Sequence, residues 1–168
     1  MPREVCGVPT QVLVVDDGSR DGTGDVAAEH GALVARHVTN RGGGAALRTG
    51  YRLMVESGAE VVVTLDADGQ HLPSEMERLV KPVLDREVDV AHGSRVLGHA
   101  DRNHFARELG IVFFNRLVSF ITRTHVTDCS NGYRAVRTTV LPQLVLRQEQ
   151  FHTSEFMIEA IKRGARAN

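Results

Sequence analysis

The sequence predicts an α/β fold with a mostly parallel sheet flanked by helices. Two observations support this class. Short apolar, β-branched runs recur along the chain, and helix-like segments separate them. Strands alternating with helices are typical of parallel α/β sheets. At 168 residues the chain has the length of one domain with its own core.

Each element follows from local patterns. Strands are predicted at 11–15, 32–37, 60–65 and 88–91. Helices are predicted at 23–30 and 44–57, each followed by a glycine, at 76–84 from an i, i+3, i+4, i+7 apolar stripe after Pro73, and at 154–163. Segment 104–122 is apolar around most of its circumference. It is expected either to be buried in the core or to contact an apolar surface such as lipid.

Composition limits the class of partner. The net charge of -1 gives no indication of nucleic-acid binding. The cysteines, Cys6 and Cys129, fit no metal or redox spacing, so we expect free thiols in a reducing compartment. No apolar run approaches the roughly 18 to 20 residues that span a bilayer, and the first residues do not resemble a signal peptide. We therefore expect a soluble or peripheral protein.

The stretch VVVTLDADGQH, residues 61–71, carries the clearest chemical signal. On a strand, residues i and i+2 point to the same side, so Asp66 and Asp68 are expected to point together. Two carboxylates about 4 Å apart repel by roughly 4 kcal/mol at an effective dielectric near 20, and a divalent cation relieves this repulsion. The Gln70 amide oxygen could supply a further ligand. The alternative is a strand end that turns through polar residues into solvent.

A second acidic pair, Asp16 and Asp17, ends the run VLVVDD. Ligands of open α/β sheets bind outside the carboxyl ends of strands, so both acidic strand ends indicate one crevice. A calcium loop is the rival interpretation, but its twelfth position is Ala28 instead of Glu, and a strand precedes it. The glycines of NRGGGAALRTG, residues 40–50, permit either a phosphate site or a close approach of backbone.

Later motifs supply cations. Arg95 follows the last predicted strand, Arg107 lies in the apolar segment, and Arg134 belongs to DCSNGYRA, which begins at Asp128. A single Arg is usually a solvated surface residue. Placed after the strands of one sheet, however, these arginines are candidates to hold phosphate.

In their order, these motifs resemble family-2 glycosyltransferases, and specifically the dolichyl- or polyprenyl-phosphate mannosyl- and glucosyltransferases. The resemblance covers about residues 11–164 and includes F-x-x-x-E near the end. It implies the GT-A nucleotide-diphospho-sugar transferase fold.

The resemblance also implies roles for residues. Donor binding would involve Asp16, Asp17, Asp66 and Asp68, and Mg²⁺ or Mn²⁺ would be held by Asp66, Asp68 and Gln70. The donor would be a nucleoside-diphosphate sugar of the GDP-mannose or UDP-glucose type, and transfer would be an inverting displacement in which Asp68 and Arg95 are catalytic. A polyprenyl phosphate acceptor would be positioned by Arg95, Arg107 and Arg134. A hydroxyl acceptor would instead need a carboxylate base, for which Asp128 is the candidate.

The resemblance further implies a place in the cell and a domain organisation. The enzyme would be cytoplasmic, peripheral at the inner face of the membrane, with the apolar segment on the acceptor side. Residues 1–168 would be a single glycosyltransferase domain without the family's first strand and helix, with their Pro-x-x-Asn-Glu-Glu motif, and without its C-terminal closing segment. We therefore expect this exact chain to be inactive or weakly active and prone to associate. The alternatives are a non-catalytic nucleotide-sugar-binding remnant and a transferase that acts on a hydroxyl acceptor.

Overall fold

The computed structural model describes residues 4–93 and 131–168. The strands are β1 (Glu4–Val5), β2 (Val8–Pro9), β3 (Leu13–Asp16), β4 (Leu33–Arg36), β5 (Val61–Thr64), β6 (Val90–His92) and β7 (Arg134–Arg137). The α-helices are α1 (Thr23–Glu29), α2 (Gly43–Glu56), α3 (Met76–Leu84) and α4 (His152–Lys162), and 3-10 helices cover Pro73–Glu75 and Thr138–Gln143. All four predicted strands and all four predicted helices are present within two residues of their expected bounds. The apolar segment 104–122 lies outside the described residues.

The sheet is more mixed than the sequence indicates. Strands β3 and β4 are parallel, whereas β7 runs antiparallel to both β5 and β6 in a three-stranded sheet of order β5-β7-β6. Strand β7 was not predicted, because its sequence RAVR has a charged residue at each end. Strands β1 and β2 form a separate antiparallel pair. In the part of the chain that the structure describes, the β3–β4 sheet and the three-stranded sheet share no ladder of hydrogen bonds.

Strand β7 lies at the centre of the packing because both of its faces are covered. Val136 belongs to an apolar cluster with Tyr51 of α2 and Phe156 of α4. Ala135, on the opposite face, belongs to a second cluster with Val83 of α3. Strand alternation produces this division, and burial of both faces stabilises the position of the residues just before β7. Those residues form part of the candidate site.

Among the described residues, no helix has the length and apolar character needed to cross a bilayer.

Candidate functional site

The loop after β5 carries the predicted metal ligands. Strand β5 ends at Thr64, so Asp66, Asp68 and Gln70 lie beyond it in an exposed loop. Strand alternation therefore does not orient the two carboxylates, contrary to our expectation, and the loop itself sets their direction. The Gln70 main-chain N–H donates to Asp68 Oδ1 at 3.0 Å. Gly69 turns the chain with a φ of 81°, a conformation that glycine adopts without steric cost.

The segment before β7 packs directly against this loop. A Cβ built on Gly132 would come within 2.8 Å of Asp66 Oδ2, so any larger residue there would push the Asp66 carboxylate from its present position. Thr64 at the end of β5 donates its hydroxyl to the Gly132 carbonyl at 2.8 Å. The acidic loop and the Asn-Gly-Tyr motif therefore form one unit.

The Asp66–Gln70 donor set fits a hard divalent cation that arrives with phosphate. No side chain among the described residues forms an ion pair with Asp66 or Asp68. Within residues 4–93 and 131–168, no three His, Cys, Asp or Glu side chains cluster closely enough to hold a metal. Two carboxylates and an amide would leave coordination positions for water and phosphate oxygens, as is usual for Mg²⁺.

The carboxylate of Asp17 is held by neighbouring groups of the protein. Its carboxylate accepts hydrogen bonds from the main-chain N–H groups of Arg41 at 2.9 Å and Gly42 at 2.7 Å, and it lies 2.6 Å from His37 Nδ1. Burial raises the pKa of Asp17, but the hydrogen bonds from His37, Arg41 and Gly42 outweigh it and lower the pKa overall. These contacts fix the chain that leads into α2.

Asp16 lines a cleft instead. It is 7% exposed, Oδ1 accepts the Ser19 main-chain N–H at 2.9 Å, and Oδ2 lies 3.8 Å from Arg36 Nε. The hydrogen bonds from Ser19, aided by the charge of Arg36, lower the pKa of Asp16. The cleft has a volume of about 290 Å³ and its other lining residues include Gly18, Ser19, Arg36 and His37. Of the two acidic residues at the end of β3, Asp16 is the one that lines this cleft, although its side chain is less exposed than that of Asp17, 6% against 17%.

The glycine run at the start of α2 allows another part of the main chain to pack closely against the helix, which is one of the two alternatives given above; the other was a phosphate site. A Cβ on Gly44 would overlap the carbonyl oxygen of Gln148 and come within 2.9 Å of its carbonyl carbon. The Gly44 main-chain N–H donates to the Glu149 carbonyl at 3.1 Å. Segment 148–149 therefore lies directly against the first turn of α2.

Arg134, which the sequence analysis assigned to the acceptor phosphate, lies in the interior. It is 1% exposed, and its guanidinium carbon lies 4.6 Å from the centroid of the Phe156 ring. Its Nη1 and Nη2 donate to the carbonyls of Thr153 at 3.2 Å and Asn131 at 3.0 Å. These contacts join β7 to α4. The other predicted acceptor-side residues, Arg95, Arg107 and Asp128, lie outside the described residues.

Two histidines of the site were missed by the sequence analysis. Asp16 pairs with Arg36 in the parallel register of β3 and β4. Asp17 and His37 are the residues that follow these two strands, so the side chains of Asp17 and His37 are adjacent. The matching ends of two predicted neighbouring strands could have revealed this contact. His71 contacts Asn131, which is sixty residues away, and no local signal could have revealed that pair.

Known proteins with similar sequences define the family. The chain matches the glycosyl transferase family 2 domain over residues 5–145. It is 39% identical to polyprenol monophosphomannose synthase from Mycolicibacterium smegmatis over 143 residues, which cover 80% of this chain and 54% of that protein. It is 36% identical to undecaprenyl-phosphate mannosyltransferase from Micrococcus luteus over 164 residues, 94% of this chain and 67% of that protein. An uncharacterised protein from Methanocaldococcus jannaschii is 35% identical, and the chain spans 65% of its length.

Solved structures define the fold. Glucosyl-3-phosphoglycerate synthase from Mycobacterium tuberculosis, in complex with Mn²⁺, UDP-glucose and phosphoglyceric acid, matches with a TM-score of 0.71 and 22% identity, over 95% of this chain and 56% of that one. Mannosyl-3-phosphoglycerate synthase from Rubrobacter xylanophilus matches with a TM-score of 0.61 and 23% identity, over 82% of this chain and 46% of that one. The expected GT-A fold is confirmed, and the chain belongs to glycosyl transferase family 2.

Proposed function

We propose that this domain transfers a hexose from a nucleoside-diphosphate sugar to a polyprenyl phosphate, with inversion and with the help of Mg²⁺ or Mn²⁺. The observation that carries the proposal is the loop after β5. It presents the carboxylates of Asp66 and Asp68 with no cationic partner among the described residues and holds Asp66 against Gly132. Such a pair is suited to a metal-bound diphosphate.

Asp66, Asp68 and Gln70 would hold the cation, which when bound supplies positive charge to the leaving nucleoside diphosphate. The solved relative from Mycobacterium tuberculosis contains Mn²⁺ and UDP-glucose. For the nucleoside of the donor we propose Asp16, because it lines the cleft beside β3. Asp17 would contribute by fixing the chain that leads to α2, since its carboxylate is engaged by His37, Arg41 and Gly42.

The polyprenyl phosphate acceptor is supported by the names of two relatives that are more than 30% identical to this chain. A phosphate oxygen is anionic at neutral pH, so it can attack the anomeric carbon without a general base. It does need cations to position it, and Arg95 and Arg107 are proposed for this role. Arg134 would act from the interior, by fixing the segment beside Asp66. The enzyme would work as a peripheral protein on the cytoplasmic face of the membrane.

A transfer assay tests the acceptor class. The chain is incubated with Mn²⁺, a radiolabelled nucleoside-diphosphate sugar and a short-chain polyprenyl phosphate, and labelled lipid is extracted into organic solvent. On this proposal Arg95→Ala and Arg107→Ala reduce transfer more than Asp128→Asn does. If the wild type labels no lipid but transfers the sugar to a hydroxyl acceptor, and Asp128→Asn abolishes that transfer, the acceptor is a hydroxyl. Donor binding without turnover by a folded chain would identify a non-catalytic remnant.

A further inference from the structure

His71 holds the main chain of Asp66 by a hydrogen bond, and the groups around its ring define which ring nitrogen carries the proton. The Asp66 main-chain N–H donates to His71 Nδ1 at 3.0 Å. Because a main-chain N–H can only donate, Nδ1 must accept and the ring proton must sit on Nε2. His71 Nε2 lies 3.0 Å from Asn131 Oδ1, which takes that proton as an acceptor. Both ring nitrogens are therefore engaged by protein groups.

Asn131 is itself fixed at both ends of its amide. It is 6% exposed, Oδ1 also accepts the Tyr133 main-chain N–H at 3.0 Å, and Nδ2 donates to the Gly93 carbonyl at 2.8 Å. The amide orientation is consequently defined, and it is the one that accepts from His71. The chain of hydrogen bonds thus leads from the loop into the buried segment before β7.

The ring of His71 is fixed as well. It stacks on Tyr133 with 5.0 Å between ring centroids and 22° between ring planes. The Tyr133 hydroxyl donates to the carbonyl of Leu72, the next residue after the histidine, at 2.9 Å. His71, Asn131 and Tyr133 form what we call the His71 clamp.

The His71 clamp is the principal tie on the acidic loop. In the described residues, no backbone–backbone hydrogen bond outside the helices and strands involves residues 66–71. Their main chain is held by the Asp66 bond to His71 and by the Gln70 bond to Asp68. Without the clamp, the Asp66 carboxylate could move away from Gly132, against which it now packs.

We propose that His71 is a positioning residue that sets Asp66 in place for the divalent cation, acting through its Nδ1 acceptor. This inference rests on the proposed metal-dependent function. Replacing a residue that hydrogen-bonds a metal ligand typically lowers metal affinity by about 10- to 100-fold. A comparable loss is expected here.

The test uses two variants of His71 and one control. His71→Phe keeps an aromatic ring for stacking on Tyr133 but removes both hydrogen bonds. His71→Asn restores an acceptor near the position of Nδ1, although it loses the bond to Asn131. His30→Phe is the control, because His30 is exposed and its ring hydrogen-bonds the Val26 carbonyl of its own helix region at 2.8 Å, away from the acidic loop. Mn²⁺ affinity is measured by electron paramagnetic resonance, and hydrogen exchange of the Asp66 amide by NMR.

We expect His71→Phe to weaken Mn²⁺ binding by about 10-fold or more and to accelerate exchange of the Asp66 amide. His71→Asn should recover part of both effects, and His30→Phe should change neither. In the wild type, long-range ¹H–¹⁵N correlations should show the proton of His71 on Nε2. A proton on Nδ1, or wild-type Mn²⁺ affinity in His71→Phe, would overturn the inference.

The experiment separates the two proposals. If the wild type binds no Mn²⁺, the proposed metal-dependent function fails, whereas retained protection of the Asp66 amide in His71→Phe would refute the clamp itself. Should His71→Phe fail to fold, His71→Asn still reports on the Asp66 amide, and unprotected exchange in a folded His71→Asn chain would contradict the acceptor role.

Discussion

Replacing Gly44 by alanine should destabilise the protein, although alanine is the better helix former. Gly44 lies in the first turn of α2 and is buried. Its new Cβ would overlap the Gln148 carbonyl oxygen and would lie within 2.9 Å of Glu149 Cα, which are backbone atoms that cannot rotate away. Segment 148–149 must therefore move, and the 3.1 Å hydrogen bond from Gly44 N–H to the Glu149 carbonyl is lost with it.

The magnitude follows from three opposing effects. Glycine to alanine inside a helix ordinarily adds about 1 kcal/mol of stability. Overpacking of a close contact costs about 1 to 3 kcal/mol, and a lost hydrogen bond costs about 1 kcal/mol. We expect a net loss of about 2 kcal/mol, which lowers Tm by roughly 4 to 8 °C in a chain of this size.

Gly50→Ala is the matched control because Gly50 belongs to the same helix. A Cβ there would meet Val15 Cγ2 at 3.4 Å, the edge of ordinary van der Waals contact. Gly50→Ala should therefore be neutral or slightly stabilising in the same thermal unfolding measured by circular dichroism. A Gly44→Ala protein that melts at or above the temperature of Gly50→Ala would refute the reasoning.

Three further predictions concern the site. Asp17→Asn should reduce the free energy of unfolding by about 2 kcal/mol at pH 7 through loss of charge-assisted hydrogen bonds, as measured by urea titration. Because the folded-state pKa of Asp17 lies below its ordinary value of 3.8, its stabilisation is complete above that value and is lost as the pH falls through the lowered pKa. The gap between wild type and variant should therefore shrink in acid, and a gap that widens would contradict this assignment. Arg134→Met should reduce the free energy of unfolding by about 3 kcal/mol, measured by urea titration. A variant that keeps its stability and only binds the acceptor more weakly would show that Arg134 contacts the acceptor directly. Gly132→Ala should weaken Mn²⁺ binding by about 10-fold, because its Cβ would come within 2.8 Å of Asp66 Oδ2 and displace that carboxylate. Unchanged affinity would contradict the view that packing against Gly132 sets the Asp66 carboxylate for the metal.

Local patterns in the sequence were sufficient for most of the elements. The alternation of apolar runs and helical stripes predicted β3 to β6 and all four α-helices, because each carries its own periodicity. Strand β7 could not be predicted in this way. Its first residue, Arg134, is buried against Phe156, which is distant in sequence. A charged residue ordinarily indicates an exposed position, so the local pattern gave no indication of a buried strand here.

The site was predictable as a set of residue types but not as an arrangement. The acidic loop at 66–70 was identified from its composition. Its orientation depends on contacts with Gly132 and Asn131, which are about sixty residues away in the sequence. The glycine run shows the same limit, since segment 148–149 decides between phosphate binding and close packing. Both cases depend on contacts between residues far apart in sequence, which no local pattern contains.

The most direct test of the central claim is a calorimetric titration of the chain with GDP-mannose and UDP-glucose, each with and without Mn²⁺, repeated for Asp68→Ala. The account predicts that one donor binds, that binding requires Mn²⁺, and that Asp68→Ala abolishes it while circular dichroism shows the variant to be folded. Binding that is unchanged in Asp68→Ala, or a folded wild-type chain that binds neither donor in the presence of Mn²⁺, would contradict the claim that the loop after β5 holds a metal-bound sugar nucleotide.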